Sequence, residues 1–310
     1  MTTSDFENRL RKNARHARKW AKGQQLTAYR IYDRDIPEYP YAVDAYADRL
    51  LLVEWPSRKA RRTGTVETQR AAVLDAVSRV LEVAPERIYT KTHEPQPWGR
   101  AQYGREARSE ERFVVEEQRL KFWVNLRDYL DTGLFMDHRV TRARVRGEAR
   151  GKRFLNLFAY TGAFTVYAAA GGASTTTTVD LSAPYLDWAE DNLVLNGLGD
   201  PKHQLIRGDV VAWVAAQLEA PATYDLIVLD PPSFSTSKRM EGSFNVQRDH
   251  PRLLGQVLEL LAPGGTLYFS TNFLGFEPRL DGLEAEELTP GSIPEDFRRK
   301  EIHRCWRISK

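Results

Sequence analysis

Three aspartates stand at the ends of consecutive short runs that have the composition of β-strands. Asp180 closes TTTTVD, Asp209 follows HQLIR, and Asp230 closes DLIVLD. Because the carboxyl ends of parallel strands meet at one edge of a sheet, we expect these three side chains within reach of one ligand. A carboxylate has two acceptor oxygens, so Asp180 can accept both hydroxyls of a ribose, and Asp209 suits the amino group of adenine. The alternative is that each acid only caps a following helix.

The turn that precedes the Asp180 run contains a single glycine, Gly162. It lies between the apolar run 154–157 and an alanine-rich segment, in the order strand, turn, helix, strand. That order is half of a doubly wound sheet. The G-x-G-x-x-G cradle for a pyrophosphate is missing, which argues against NAD. The pattern favours S-adenosyl-L-methionine, which has an adenosine but no phosphate.

The sequence DPPSF, Asp230 to Phe234, closes the strand-like run 225–230. Pro231 and Pro232 lack the backbone N–H that a β-ladder needs, so they end the strand and fix an extended turn. The turn is expected to present its carbonyl groups and Phe234 opposite the methyl group of bound S-adenosylmethionine, as a wall on which a flat nucleobase stacks. A simple strand terminator is the alternative.

A second polar group precedes the sheet. The segment 128–139, DYLDTGLFMDHR, ends in Asp137, His138 and Arg139, just before a helix-like run. These residues are candidate cofactor contacts. His138 is also a candidate general base, although a lone histidine near a helix start more often forms a structural hydrogen bond.

The pattern of elements from residue 151 onward positions these side chains. Strand-like and helix-like segments alternate, which predicts a mainly parallel sheet covered on both faces. The predicted strands are 154–157, 175–180, 203–207, 225–230, 265–270 and 305–308, and the predicted helices are 161–170, 183–196, 210–218 and 251–261. The last run can return antiparallel beside the fifth strand. We predict an α/β fold with a seven-stranded Rossmann-like methyltransferase sheet over residues 151–310, and a linker and helix over 127–150 that contribute to the cofactor site.

Residues 1–126 are predicted to form a smaller basic α+β module that binds RNA. Its first helix has a narrow apolar stripe formed by Phe6, Leu10, Ala14, Ala17 and Ala21. The candidate RNA contacts lie on the wide basic face, at Arg11, Lys12, Arg15, Arg18 and Lys19. Short strands within 29–55, a helix at 66–81, and strands at 88–92, 112–117 and 120–125 follow. The alternative for the basic face is a solvated surface that only keeps the protein soluble.

Two further segments of this module are rich in basic residues, and the second also carries aromatic rings. The loop 57–64 carries Arg58, Lys59, Arg61 and Arg62, and the stretch 94–110 carries Trp98, Arg100, Tyr103, Arg105 and Arg108. Aromatic rings among arginines can stack on and neutralise single-stranded nucleic acid, at about 1–3 kcal/mol for each stacked base. A mobile loop is the alternative for the second stretch.

Composition excludes several other classes of protein. Of 310 residues 42% are hydrophobic, which is ample for a core; no apolar run approaches the roughly 20 residues of a membrane span. Cys305 is the only cysteine, which excludes a disulfide and a cysteine-based metal site within the monomer. We expect a cytoplasmic protein with no membrane partner and no metal. The net charge is only +3, but basic residues concentrate in the first helix, which suggests a polyanionic partner.

The motifs FLNLFAYTG, TVDLS and DPPSF resemble those of class I S-adenosylmethionine-dependent methyltransferases. Nearly the whole chain, through FENRLRKNARHARKW, YLDTGLFMDHR, DPPSFSTSKRMEGSFNVQRDH and IHRCW, resembles the C-terminal guanine-N7 methyltransferase half of bacterial fused 23S rRNA methyltransferases. The other half of such a fusion, a THUMP module with a guanine-N2 methyltransferase domain, has no counterpart in this sequence. The chain is then either a standalone version or one part of a fusion.

The resemblance implies a set of site residues and a substrate. It places methionine-end contacts at Asn156, Phe158 and Gly162 with Asp137, His138 and Arg139 nearby, ribose at Asp180, adenine at Asp209, and the target-side wall at Asp230, Pro231, Pro232 and Phe234. We take this wall as the catalytic group, with Asp230 also bordering the cofactor. Lys238 and Arg239 in the next loop join the candidate RNA contacts. The implied partner is 23S rRNA, naked or in an early assembly particle; nothing in the sequence indicates an oligomeric state.

Guanine N7 suits this set of residues. N7 has a lone pair in the ring plane and no proton to remove, so an enzyme needs to align it with the methyl group and needs no strong base. Methylation of cytosine C5 is the nearest rival and requires a thiolate, but Ser233 follows the two prolines and Cys305 falls in the last predicted strand. Methylation of an exocyclic amine, N2 or N6, stays open. An RNA-binding or assembly factor with a retained cofactor site is the non-enzyme alternative.

Overall fold

The structure is a computed structural model that describes residues 3–55, 66–93, 111–129, 131–219, 222–236 and 242–310. These residues divide into two compact units. The described residues up to 132, with Glu295–Arg299, form the first, and those within Gly133–Pro294 and Lys300–Lys310 form the second. Each unit has its own main sheet.

The first unit packs two helices against a four-stranded sheet with strand order β1-β2-β3-β4. Its elements are α1 (Thr3–Gln24), β1 (Ala28–Asp33), β2 (Tyr41–Tyr46), β3 (Arg49–Glu54), α2 (Val66–Leu81), β4 (Ile88–Thr92), β5 (Phe113–Glu117) and β6 (Leu120–Val124). Strands β1 to β3 are antiparallel and β4 is parallel to β3, with α2 in the crossover. Strands β5 and β6 form a separate antiparallel pair.

The apolar stripe of α1 forms much of the core of this unit. All five predicted stripe residues are buried. Phe6 stacks on Tyr39 with ring centroids 4.9 Å apart and meets Tyr32 edge to face. Burial of one helical face leaves the opposite, basic face to solvent, as the 3.6-residue periodicity predicts.

The second unit contains the seven-stranded sheet, with strand order β14-β15-β13-β10-β7-β8-β9. Its elements are α3 (Arg139–Glu148), β7 (Arg153–Leu157), α4 (Ala163–Ala170), β8 (Thr175–Asp180), α5 (Ala183–Leu195), β9 (His203–Arg207), α6 (Val210–Gln217), β10 (Tyr224–Leu229), β11 (Phe234–Thr236), β12 (Ser243–Asn245), α7 (Val246–Glu259), β13 (Leu261–Thr271), β14 (Glu284–Glu287) and β15 (Arg304–Ser309). Strands β13, β10, β7, β8 and β9 are parallel, and β15 is antiparallel to β13. The predicted Rossmann-like methyltransferase sheet is confirmed.

The central strand β10 explains why the sheet is covered on both sides. Successive side chains of a strand point to opposite faces. Ile227 and Leu229 belong to one buried cluster, while Leu226 and Val228 belong to another. An uninterrupted apolar run therefore supplies a core on each face, as a parallel strand between two helical layers requires.

Helix α7 begins at Val246, five residues before its predicted start at Pro251. The Asn245 side chain caps it by accepting a hydrogen bond from the backbone N–H of Arg248, at 3.1 Å. Pro251 then lies inside the helix and cannot donate to the carbonyl of Gln247. The Arg279 guanidinium donates to that carbonyl instead, at 2.9 Å, so the helix tolerates the proline.

Several predicted RNA contacts lie outside the described residues. They are Trp98, Arg100, Tyr103, Arg105, Arg108, Lys238 and Arg239, and the basic loop 57–64 lies outside the described residues as well. Within the described ranges, no helix combines the length and the apolar character that crossing a bilayer demands.

Candidate active site

The turn between β7 and α4 has an unusual backbone. Phe158, Tyr160 and Gly162 all have positive φ, at 57°, 52° and 71°. A Cβ on Gly162 would lie 2.7 Å from the Cβ of Ala189 on α5, so this position requires glycine for conformation and for close helix packing. Left-handed conformation at two non-glycine residues is costly and is concentrated at ligand sites.

Asp180 closes β8 beside this turn. Its Oδ2 accepts the backbone N–H of Tyr160 and its Oδ1 accepts that of Ser182, each at 2.9 Å. Burial raises the pKa of the Asp180 carboxyl to about 6, although these backbone hydrogen bonds act in the opposite direction. Each oxygen keeps a second lone pair, so the carboxylate is fixed in place and can still accept two ribose hydroxyls.

Asn156 and Asp209, predicted to contact the methionine end and adenine, are both engaged with the protein. Asn156 is 1% exposed, and its side-chain NH₂ donates to the Thr165 hydroxyl at 3.0 Å. The Thr165 hydroxyl in turn lies 2.8 Å from the Thr178 hydroxyl. This polar trio ties β7, α4 and β8 together. Asp209 caps α6, since its Oδ1 accepts the backbone N–H of Val211 at 3.0 Å. The helix cap, which was the alternative for Asp209, is therefore present. Contacts of Asn156 and Asp209 with a cofactor stay predictions.

A buried cluster joins Asp137 and His138 to the carboxyl end of β10. His303 donates from Nδ1 to Asp137 Oδ2 at 2.8 Å and accepts at Nε2 from the Ser292 hydroxyl at 3.1 Å. His138 Nε2 lies 3.6 Å from Asp230 Oδ2 and 3.8 Å from Asp137 Oδ2. Three of the predicted site residues thus meet at one edge of the sheet.

The charges within this cluster are set by its surroundings. Burial opposes ionisation of Asp137, but His138, His303 and Arg142 outweigh it and hold the pKa of the Asp137 carboxyl far below its usual range. Burial and the neighbouring His303 lower the pKa of His138. The cluster therefore favours an ionised Asp137 near neutral pH, while burial and His303 disfavour the charged form of His138.

The two imidazoles are stacked, with ring centroids 4.1 Å apart and planes inclined by 8°. Asp137, His138 and His303 each have one ligand-type atom within 4.8 Å of the others. A metal binds along the nitrogen lone pair, which lies in the ring plane, and two parallel, stacked planes do not meet at one ion. The cluster fits a group of stacked imidazoles and carboxylates, with His303 hydrogen-bonded to Asp137, better than a metal held by both histidines.

The turn after β10 is anchored to the end of β13. Ser270 donates to Asp230 Oδ1 at 2.6 Å, and the Ser233 hydroxyl donates to Asn272 Oδ1 at 2.8 Å. Pro231 and Pro232 are buried, and Phe234 is partly buried. Phe234 begins β11, which pairs antiparallel with β12. Two other residues that were predicted to contact the cofactor are packed within the protein. Arg139 is 3% exposed, and the Phe158 and Phe244 ring centroids are 5.5 Å apart.

Sequence reasoning missed three residues of this arrangement. His303 and Ser270 form hydrogen bonds with the predicted site residues Asp137 and Asp230, and Asn272 accepts one from Ser233 in the predicted DPPSF turn. His303 lies within IHRCW, a motif that carried the family resemblance, and this was the only signal for it. Ser270 and Asn272 have no sequence signal beyond their place at the end of a strand.

The predicted RNA contacts of the first unit lie together on α1. Arg11, Lys12, Arg15, Arg18 and Lys19 are all exposed. Arg18 donates to the carbonyl of Leu81 at 3.0 Å, so this arginine also holds α2. No carboxylate of the described chain is ion-paired with the other four, which leaves their charges available to a polyanion.

Comparisons with known proteins agree with this fold. Residues 88–288 match the family model described as S-adenosylmethionine-dependent methyltransferase. The chain is 49% identical over 308 residues to "Ribosomal RNA large subunit methyltransferase K" of Neisseria meningitidis serogroup B, covering 98% of this chain and 86% of the relative.

Solved structures give the same fold. The SMU.776 protein, crystallised in complex with SAH, is 26% identical in sequence to this chain. The two structures align with a TM-score of 0.79 over 100% of this chain and 82% of SMU.776. An S-adenosylmethionine-dependent methyltransferase from Agrobacterium tumefaciens is 20% identical, with a TM-score of 0.63 over 87% of each chain, and shares the fold. The chain belongs to the S-adenosylmethionine-dependent methyltransferase family.

Proposed function

We propose that this chain methylates large-subunit ribosomal RNA at guanine N7. The Neisseria relative is named as a large-subunit ribosomal RNA methyltransferase, which supports the substrate class. The observation that carries the choice of atom is the environment of Asp230. Its Oδ1 accepts from Ser270 at 2.6 Å and its Oδ2 lies 3.6 Å from His138 Nε2, so this carboxylate is held by the protein and is not a free general base.

The residues at the sheet edge fit S-adenosylmethionine. Asp180 would accept the ribose hydroxyls, the second oxygen of Asp209 would accept the adenine amino group, and the 158–162 turn with the Asp137 cluster would border the methionine end. When bound, S-adenosylmethionine supplies a methyl group on a positively charged sulfur. The ionised Asp137 places negative charge at this edge, which favours a cationic ligand.

The protein's task at guanine N7 is alignment. N7 carries an in-plane lone pair and loses no proton, so catalysis comes from holding the base in line with the methyl group. The methylated ring gains a positive charge. The carboxylate of Asp230, whose side chain is 27% exposed, is positioned to stabilise that charge.

The environment of Cys305 argues against the rival cytosine-C5 chemistry. This cysteine lies in β15, is 0% exposed, and burial raises the pKa of its thiol to about 12. A C5 enzyme needs a thiolate that can reach the base. Cys305 is the only cysteine in the sequence, so the chain offers no other thiol for this reaction.

Transfer of tritiated methyl groups to unmodified large-subunit rRNA, naked and in early assembly particles, tests the proposal. Nucleoside analysis should give 7-methylguanosine. A product of 5-methylcytidine or of N2- or N6-methylated purine would replace the N7 assignment, and no transfer to either RNA form would refute the substrate. Calorimetry with S-adenosylmethionine tests the enzyme separately: no detectable binding would refute it, and binding without methyl transfer would favour the assembly factor with a retained cofactor site.

A further inference from the structure

A pocket of about 560 Å³ lies at the carboxyl end of β13, beside the residues assigned above. It is lined by Asn272–Gly275, which follow β13, and by residues 300–304, which lead into β15. His303 lines it and also hydrogen-bonds to Asp137. The pocket therefore shares a wall with the Asp137–His138–Asp230 cluster.

The strand order shows which ligand this pocket suits. From Asp180 outward the strands are β8, β7, β10 and β13. Strands are about 4.8 Å apart, so the end of β8 is roughly 10 Å from the end of β10. A cofactor held at Asp180 with its methyl group near Asp230 spans that distance. The β13 side of Asp230 is then left for the molecule that accepts the methyl group.

We propose that this pocket receives the guanine nucleotide to be methylated and that Asn272 recognises the O6 of its base; this rests on the proposed function. The Ser233 hydroxyl donates to Asn272 Oδ1 at 2.8 Å and thereby fixes the amide. Its NH₂ group has no acceptor in the described chain and is free to donate to a ligand. Guanine has an acceptor, O6, where adenine has an amino donor, so Asn272 selects guanine.

The two cations that line the pocket differ in availability. The Arg304 guanidinium is paired with Glu287 through two hydrogen bonds, at 2.8 and 2.7 Å, and also donates to the carbonyl of Phe276. Lys300 donates only to the carbonyl of Pro294, at 2.9 Å, and has no carboxylate partner in the part of the chain described. Lys300 is therefore the group that contacts a phosphate of the bound nucleotide.

Apolar groups beside Asn272 complete the fit to a nucleobase. Leu274 is 72% exposed, one of two large hydrophobic side chains that the described surface exposes to this degree, and Phe273 is partly buried. Both line the pocket. A flat base can cover such groups while its polar edge meets the amide.

Methyl transfer to unmodified large-subunit rRNA tests the pocket with the full chain and the variants Asn272→Ala, Asn272→Asp and Lys300→Ala. We expect Asn272→Ala to lower kcat/KM for RNA about tenfold, the loss of roughly one hydrogen bond. Asn272→Asp should cost more, about 100-fold, because it turns a carboxylate oxygen toward O6. Lys300→Ala should raise KM for RNA about threefold to tenfold with kcat unchanged, as loss of one phosphate contact predicts.

Two controls separate recognition from structural damage. Lys202→Ala removes another exposed lysine, remote from this edge of the sheet, and should leave KM unchanged. The Kd for S-adenosylmethionine and the Tm of all variants should stay near wild-type values. Wild-type transfer with equally active Asn272→Ala and Lys300→Ala would overturn the pocket assignment alone, whereas absence of wild-type transfer to rRNA would refute the proposed function.

Discussion

At the scale of single residues, the proposed contact of Asp180 with the ribose predicts that cofactor binding is sensitive to acid. Its pKa of about 6 in the folded protein results mainly from burial, and only the ionised form offers both oxygens to a ribose. We expect the Kd for S-adenosylmethionine to be constant above pH 7. Below pH 6 the carboxyl gains a proton, so the Kd should rise by up to about tenfold per pH unit. Calorimetry between pH 5 and pH 8 measures this.

The control for this prediction is a pair of isosteric variants. Asp180→Asn should weaken binding at pH 8 by about tenfold or more and abolish the pH dependence, since no titrating group remains. Asp187→Asn removes an exposed acid of α5 and should change neither. An acid-weakened Kd that persists in Asp180→Asn would show that another group titrates.

Cys305 provides a second residue-scale prediction. Its thiol is fully buried with a pKa raised to about 12, so it takes no part in a reaction with the base. Cys305→Ala should retain methyl transfer within about twofold, while the free energy of unfolding falls by about 1 kcal/mol because a small cavity forms. Complete loss of transfer in a folded Cys305→Ala variant would favour the cysteine-dependent C5 mechanism instead.

At the scale of elements, Gly162 joins the cofactor turn to the packing of α4 on α5. Alanine there would have to adopt a φ of 71° and would place its Cβ 2.7 Å from that of Ala189. We expect Gly162→Ala to lower the free energy of unfolding by about 2–4 kcal/mol, from backbone strain and overpacking together. Thermal and denaturant unfolding measure the loss, and weaker S-adenosylmethionine binding should accompany it.

Gly197 gives the matched control for that substitution. Its φ is 69°, but a Cβ there would meet no atom within 4 Å. Gly197→Ala therefore reports the cost of the left-handed backbone alone, about 1 kcal/mol. The difference between the two variants measures the contact with Ala189, and equal losses would contradict a packing role for Gly162.

The elements themselves were predictable because their signals are local. β-branched runs such as Thr175–Val179 and glycine or proline between runs place strands β7 to β10 within a residue or two of their observed bounds. The start of α7 was wrong because the Arg279 contact that makes Pro251 tolerable comes from a residue far along the chain. His303 was not predicted as a site residue for the same reason, because it stacks on His138, which lies 165 positions earlier. Local patterns define strands and strand ends, but contacts between distant segments complete the site.

At the scale of the whole molecule, the charge distribution favours binding of a polyanion. The net charge is +3, too small for strong attraction by itself. The exposed basic face of α1 concentrates cations, and the described carboxylates do not neutralise Arg11, Lys12, Arg15 or Lys19. Local charge of this kind supports binding through release of counterions from RNA phosphates.

This mechanism predicts how RNA affinity depends on salt. The logarithm of the binding constant should fall linearly with the logarithm of salt concentration, with a slope of about −0.7 for each phosphate contact on single strands. Replacing Arg11, Lys12, Arg15 and Lys19 by glutamine should make the slope less steep by up to about 3. Arg18 is left in place because it holds the Leu81 carbonyl, so folding is preserved. Filter binding to large-subunit rRNA across a salt series gives the slopes.

A charge-matched variant decides whether α1 itself contacts RNA. Glutamine at four exposed arginines and lysines of the second unit removes the same total charge; these are Arg144, Arg150, Lys202 and Arg252. If net charge alone governed binding, both quadruple variants would change the slope equally. If α1 contacts the phosphates, only its variant should lose slope, because counterions are released only where phosphates are bound. An unchanged slope in the α1 variant would remove this helix from the RNA-binding surface and leave the pocket at β13 to bind the nucleotide without it.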